Sequence, residues 1–188
     1  MAELDLRSNY LWAGGYPSDT TLMMSEAYRL ICVFGGSREV ERVRSRFHDH
    51  DSFPPIDGPS KWIRMLELSE ASRLLLSLAV ILRNTLDTSN DTSESYSHLV
   101  RTEVGQVRVL NKPRAKVKSL EVREACNKII HAMNINFDFT NRSNICAGRL
   151  RPFVHLYGER ETRRNTESEK WKATVNILDL SYVAICLV

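Results

Sequence analysis

Glycine, proline and cysteine are scarce in this chain of 188 residues, with 8, 6 and 4 copies respectively. That scarcity excludes collagen-like and glycine/proline-rich low-complexity architectures. The four cysteines, Cys32, Cys126, Cys146 and Cys186, are dispersed. They have neither the paired spacing of a zinc site nor the density of a disulfide scaffold, so reduced thiols are expected. Long apolar runs are missing too. The longest, Leu74 to Leu82, is interrupted by Ser77 and falls far short of the ~18–20 residues that span a bilayer. The opening Met-Ala-Glu-Leu-Asp-Leu-Arg is acidic where a secretory signal would be basic and then apolar. A cytoplasmic chain with no membrane partner is the expectation. There is no Gly-x-Gly-x-x-Gly, no Walker A sequence and no Gly-x-Ser-x-Gly, so nucleotide-hydrolase and serine-hydrolase readings have no footing and no cofactor is implied.

What the chain does contain is typical of a globular protein: 43% apolar and 26% charged residues. Its length suits one domain with a substantial core. The net charge of +3 hides an asymmetry: residues 1–100 carry −4, and residues 101–188 carry +7. The densest patch runs from Arg108 to Lys118, with Arg108, Lys112, Arg114, Lys116 and Lys118 and no acid among them. A basic patch of this kind is the electrostatic footprint expected for an RNA or nucleotide partner. A solvated loop beside a lysine-rich edge strand would leave the same pattern.

Periodicity divides the chain into a helical body over about 19–133 and a β-containing part over about 134–188. A capped helix is expected from about Thr20 to Phe34, ended by Gly35-Gly36. Ser37 would open a second helix to about Phe47. A long helix follows from Ser60 to about Leu86, with an apolar face that includes Trp62, Met65, Leu66, Leu74, Leu75, Leu78 and Leu82. Its breadth predicts a place at the centre of a bundle. Thr88 to Ser97 is polar and aperiodic, which predicts a mobile loop. The period then changes. Ile135, Phe137 and Phe139 alternate with polar neighbours, and Pro152–Tyr157 and Trp171–Ile177 behave similarly, as strands do. Gly158 to Lys170 reads as a charged turn, and Leu178 to Val188 as an apolar helix or contact segment. The fold expected is a single helix-rich α+β domain, a helical bundle body with a small antiparallel sheet near the C-terminus.

The segment from Val122 to Met133 concentrates the candidate chemistry. At about 100° per residue, Arg123, Asn127 and His131 share one strip of a helix. Val122, Ala125, Cys126, Ile129 and Met133 form the apolar side. Within this segment, Cys126-Asn127-Lys128-Ile129-Ile130-His131 resembles the Arg-Asn-x-x-x-His signature of the HEPN superfamily, small helical-bundle proteins of prokaryotic defence and toxin–antitoxin systems. The asparagine and histidine keep their offset, while Cys126 stands where the family has arginine. The likeness covers about a dozen residues. The resemblance implies a metal-independent ribonuclease site in which histidine acts on the 2′-hydroxyl or the leaving oxygen, arginine stabilises phosphorane charge, and two copies meet across a dimer. Histidine suits acid–base work near its ordinary pKa of ~6.5. A thiol cannot replace a bidentate, permanently charged phosphate ligand. Arg123 lies on the same strip as His131 and is the candidate substitute.

Other clusters read more plainly. His48-Asp49-His50-Asp51 offers two histidines at alternate positions, yet metal sites usually draw ligands from several segments, so a solvated loop is expected and no metal is assigned. His155, between Phe153 and Tyr157 at alternate positions, is a packed or interface histidine. Arg83-Asn84 opens the HEPN pattern but has no histidine at the required distance and is treated as background. Three functions compete: a HEPN-like component with an altered motif that binds RNA, a nucleotide or a partner protein; an endoribonuclease using His131, Asn127 and Arg123; and a scaffold subunit bound through the apolar C-terminal segment. A homodimer or a partner subunit accompanies these readings.

Overall fold

The structure, a computed structural model, describes residues 19–48, 57–112, 115–140, 148–160 and 168–188. Helix α1 (Thr20–His48) and helix α2 (Asp57–Thr88) form a long hairpin, followed by the short helix α3 (Glu94–Val100). Strands β1 (Glu103–Val109) and β2 (Lys118–Glu121) lead into helix α4 (Val122–Ile130). Strands β3 (Asn134–Phe139), β4 (Leu150–Arg160) and β5 (Glu169–Asn176) then precede helix α5 (Ile177–Cys186). The five strands form one antiparallel sheet in the order β2-β1-β5-β4-β3. This is a helix-rich α+β fold, as the change of period predicts. The sheet begins earlier than predicted, however: β1 and β2 stand before α4, inside the expected helical body.

Alternation sets the two faces of the sheet. Val154, Leu156 and Gly158 of β4 lie opposite Val175, Ala173 and Trp171 of β5, and all six are buried against the helices. Their neighbours Phe153, His155, Tyr157, Lys172, Thr174 and Asn176 point to the other face and stay partly exposed. The core gathers Met23, Ala27, Leu30 and Phe34 of α1, Leu74, Leu75, Leu78 and Leu82 of α2, and the buried sides of α4 and α5. Each large apolar side chain buried there stabilises the fold by about 1.5–3 kcal/mol relative to exposure.

Four sequence expectations need correcting. Gly35-Gly36 does not end a helix; α1 runs through it, because packing against α2 and α5 outweighs a propensity cost of about 1 kcal/mol per glycine. Ser37 is therefore not a helix cap. It is buried, and its hydroxyl accepts hydrogen bonds from Arg64 (3.3 Å) and from the Leu150 amide (2.9 Å). The predicted mobile loop instead holds α3, whose first turn is capped by the Ser93 hydroxyl accepting from the Tyr96 amide at 3.2 Å. Finally, Trp62, Met65 and Leu66 of α2 are exposed, and so are Leu76 and Val80 in its second half, so α2 buries one face and does not occupy a bundle centre. The apolar C-terminal segment forms α5, whose Ile177, Leu180, Val183 and Ala184 are buried and which packs against α1.

A polar knot fastens the helical hairpin to the sheet. The buried Arg64 guanidinium pairs with Glu67 one turn along α2, donates to the Gly148 carbonyl just before β4, and lies 4.9 Å over the Phe139 ring. Burial pushes the Glu67 carboxyl above the ordinary carboxylate range, against the opposing pull of Arg64 and Ser37. Removing the guanidinium strands Glu67 and the Gly148 carbonyl together. Arg64→Leu is expected to cost about 3–5 kcal/mol, read as a lower urea midpoint at unchanged slope. A loss below about 1 kcal/mol would show that the knot is dispensable.

Candidate nucleic-acid interface

The strip that carries the HEPN resemblance is only partly a helix face. Helix α4 ends at Ile130, and His131 is its C-terminal cap, exposed, with its amide donating to the Asn127 carbonyl at 3.0 Å. Val122, Ala125, Cys126 and Ile129 are buried as the wheel predicts, whereas Met133, expected on that side, lies beyond the helix and is 70% exposed. The two remaining polar residues are engaged with α2. Arg123 pairs with Asp87. Asn127 accepts from Arg83 through its side-chain oxygen, and Arg83 also donates to Asp87 at 2.6 Å. Arg83, which has no histidine at the family's spacing, is thus the guanidinium that reaches the asparagine. No local pattern could reveal this, since 44 residues separate the pair.

Cys126, at the position of the family's arginine, is fully buried. Burial pushes its thiol up to about 12, with Arg83 pulling weakly the other way. It is core rather than chemistry. Cys32 and Cys186, by contrast, are exposed free thiols.

The basic segment is where the tertiary structure concentrates charge. Arg108 lies on β1, Lys118 on β2, and Lys112 and Lys116 in the connection between them; Arg114 lies outside the described residues. Folding adds two cations that the sequence reading did not assign to this group, Lys128 of α4 and Arg160 at the end of β4. All six border one cavity of about 360 Å³ between α4 and the β1–β2–β5 end of the sheet. Two carboxylates share it: Glu169 pairs with Lys112, and Glu124 lies 3.3 Å from Lys128. Among the described residues, Arg108, Lys116, Lys118 and Arg160 have no acidic partner within ion-pair distance. The excess positive charge registers on Glu169, whose carboxyl is held below its ordinary range by the Lys112 hydrogen bond, with Arg160 and Lys118 adding to the effect. The cavity wall includes Trp171. Its ring packs over the Cβ position of the opposing Gly158, and the Lys128 ammonium sits 4.4 Å from the ring centroid. Lys128 was invisible as a site residue because it occupies a helix position beside buried ones. The sequence places Arg160 in the charged turn Gly158 to Lys170, but β4 extends far enough to include it.

No family model, curated protein or solved structure matches this chain.

The metal reading of the His48–Asp51 cluster falls mostly outside the described residues, where only the backbone of His48, at the end of α1, is placed. Among the described residues no group of three or more histidine, cysteine or acidic side chains could hold a metal ion. No described helix is long and apolar enough to cross a membrane.

Because folded Cys126 holds its proton to higher pH than an unfolded thiol, its contribution to stability is intact below about 9.0 and is lost as pH rises toward about 12. In the native chain at pH 8, iodoacetamide should modify Cys32 and Cys186 while sparing Cys126, as read by peptide mass spectrometry. Labelling of Cys126 at the rate of Cys32 would place it in an open, reactive site instead.

Proposed function

We propose that this chain is a HEPN-like component of a prokaryotic defence or toxin–antitoxin module, one that binds RNA through its basic cavity and does not cleave it. The observation that carries the reading is the convergence of Arg108, Lys112, Lys116, Lys118, Lys128 and Arg160 on one cavity beside α4. Cations from four separate elements meeting there is more than a chance lysine-rich loop would give. Phosphates neutralised at such a site release condensed counterions, and affinity then falls steeply with salt. The altered motif supports the non-cleaving part: Cys126 is buried, and Arg123 and Asn127 are tied to Asp87 and Arg83.

The binding test is RNA affinity measured across a salt series. The wild-type chain should bind with a clearly negative log–log slope. Charge reversal of Lys116 and Lys118 to glutamate should weaken binding at least tenfold and flatten the slope, because each lost phosphate contact removes about one unit. Binding indifferent to salt would sink the proposal.

One observation favours a second reading. Arg83 brings a guanidinium to Asn127, restoring in space the residue type that Cys126 displaces in sequence. An active endoribonuclease would then use His131 with Arg83 rather than Arg123. End-labelled RNA incubated with EDTA should remain intact under the first reading. Cleavage abolished by both His131→Ala and Arg83→Gln would establish the second, with dimerisation as a further requirement of the family's composite site.

A further inference from the structure

The face of the sheet turned away from the helices has an organised surface of its own. Cross-strand register places its side chains in rows. One row runs Ser119, Gln106, Thr174, His155, Asn136 across β2-β1-β5-β4-β3, and the next runs Arg108, Lys172, Tyr157, Asn134 across β1-β5-β4-β3. The helices bury the opposite face, and α2 borders this side at a cavity beside β3 through Leu68 and Ser72. Two features separate it from an ordinary wet face.

The first is a column of rings. Phe153, His155 and Tyr157 occupy alternate positions of β4, all three half-buried, so successive rings stand about 7 Å apart along the strand. Cations flank the column: Lys172 lies 5.5 Å from the Tyr157 ring centroid and Arg151 5.9 Å from that of Phe153. His155 is held in register by Thr174, its Nδ1 lying 3.0 Å from the threonine hydroxyl.

The second is a like-charge pair. Arg108 and Lys172 stand directly opposite each other on β1 and β5, and among the described residues neither has an ion-pair partner. Like charges so placed destabilise a sheet unless something anionic lies over them. They also join separate hollows. Arg108 borders both the basic cavity and a cavity of about 320 Å³ on the open face. Lys172 and His155 border that cavity and a larger one, of about 660 Å³, that straddles β3 and reaches Tyr157. The hollows adjoin across strands about 4.8 Å apart, so β1 to β3 spans roughly 14 Å.

We infer that the open sheet face is a platform for unpaired nucleotides, with bases stacked on Phe153, His155 and Tyr157 and the backbone led past Lys172 and Arg108 toward the basic cavity. The inference rests on the proposed RNA binding and specifies its substrate class: single-stranded rather than duplex. A rigid duplex offers its bases edge-on and its phosphates outward, and cannot use a column of ring faces. Every unpaired base has a π-face, so the platform is tolerant of sequence.

The experiment is fluorescence anisotropy with the full chain and labelled oligonucleotides: unpaired RNA, unpaired DNA of the same sequence, and an RNA duplex. Unpaired RNA should bind at least tenfold more tightly than the duplex. Tyr157→Leu and Phe153→Leu should each weaken unpaired binding by roughly tenfold, the lower part of the range for losing a stacked base, without altering the salt slope. Tyr157→Phe, which keeps the ring, should recover most of the binding that Tyr157→Leu loses. Lys172→Gln should instead reduce the salt slope by about one unit. Circular dichroism and thermal melting of each variant separate lost binding from lost folding, and Tyr157→Phe keeps the ring contribution testable if the leucine variant unfolds. Salt-sensitive RNA binding that is indifferent to both leucine variants, or equal affinity for the duplex, overturns the platform and leaves the basic cavity standing. Absence of RNA binding of any kind overturns both. Equal binding of unpaired DNA supports a platform for unpaired polynucleotide in general, and preference for RNA adds a contact to the 2′-hydroxyl.

Discussion

Arg64 joins the two halves of this molecule. Its guanidinium lies where the helical hairpin meets the beginning of β4, bonded to Ser37 of α1, Glu67 of α2 and the Gly148 carbonyl, with the Phe139 ring beneath it. A buried charge is tolerated only when its partners are fixed, so these contacts specify one relative placement of hairpin and sheet more than they add net stability. Ser37 contributes twice, accepting from Arg64 and from the Leu150 amide. Once β4 is placed, β5 and β3 pair beside it and the ring column on β4 acquires its orientation.

The α2–α4 junction shows how a motif can change its use. A polar strip on α4 would be open to solvent if α4 were alone. Packed on α2, its Arg123 and Asn127 become half of a four-residue network with Arg83 and Asp87. The same contacts bury Cys126 and aim α4 so that Lys128 projects over Trp171. The contacts of α4 therefore divide between different faces of a short helix: Arg123 and Asn127 tie it to α2, while Glu124 and Lys128 border the basic cavity. This separation favours binding over catalysis, because the groups that would stabilise a transition state are already committed to ion pairs.

Charge and aromatic surface are combined on the sheet. Sequence-neighbouring cations in the β1–β2 connection meet Lys128 and Arg160 from later elements, and the positive surface continues through Arg108 to Lys172 on the open face. In the proposed RNA-binding role, counterion release at such a surface would provide affinity without selectivity, whereas stacking on the half-buried rings would discriminate unpaired from paired strands. The two functions require different side chains, and strand alternation supplies both from the same short segments.

Much of the fold was legible because it depends on local periodicity. The β3, β4 and β5 alternation, the apolar side of α4 and the long α2 pattern each reflect which face must be buried, and a sequence states that directly. The basic segment from Arg108 to Lys118 was equally plain as a cluster of charge. Some failures were punctuation marks overruled by packing: Gly35-Gly36 lies inside α1, and Ser37 serves a distant guanidinium rather than a helix end. The site's missing members, Arg83, Lys128 and Arg160, became neighbours of Asn127, Trp171 and Lys118 only when remote segments were brought together. Sequence by itself determined α2, α4 and strands β3 to β5, most of their buried faces and the sign of the charge, but not β1, β2 or α3. Tertiary structure decided which cations converge, which polar groups are consumed by one another, and which rings share a face, because these depend on long-range register that no local pattern encodes.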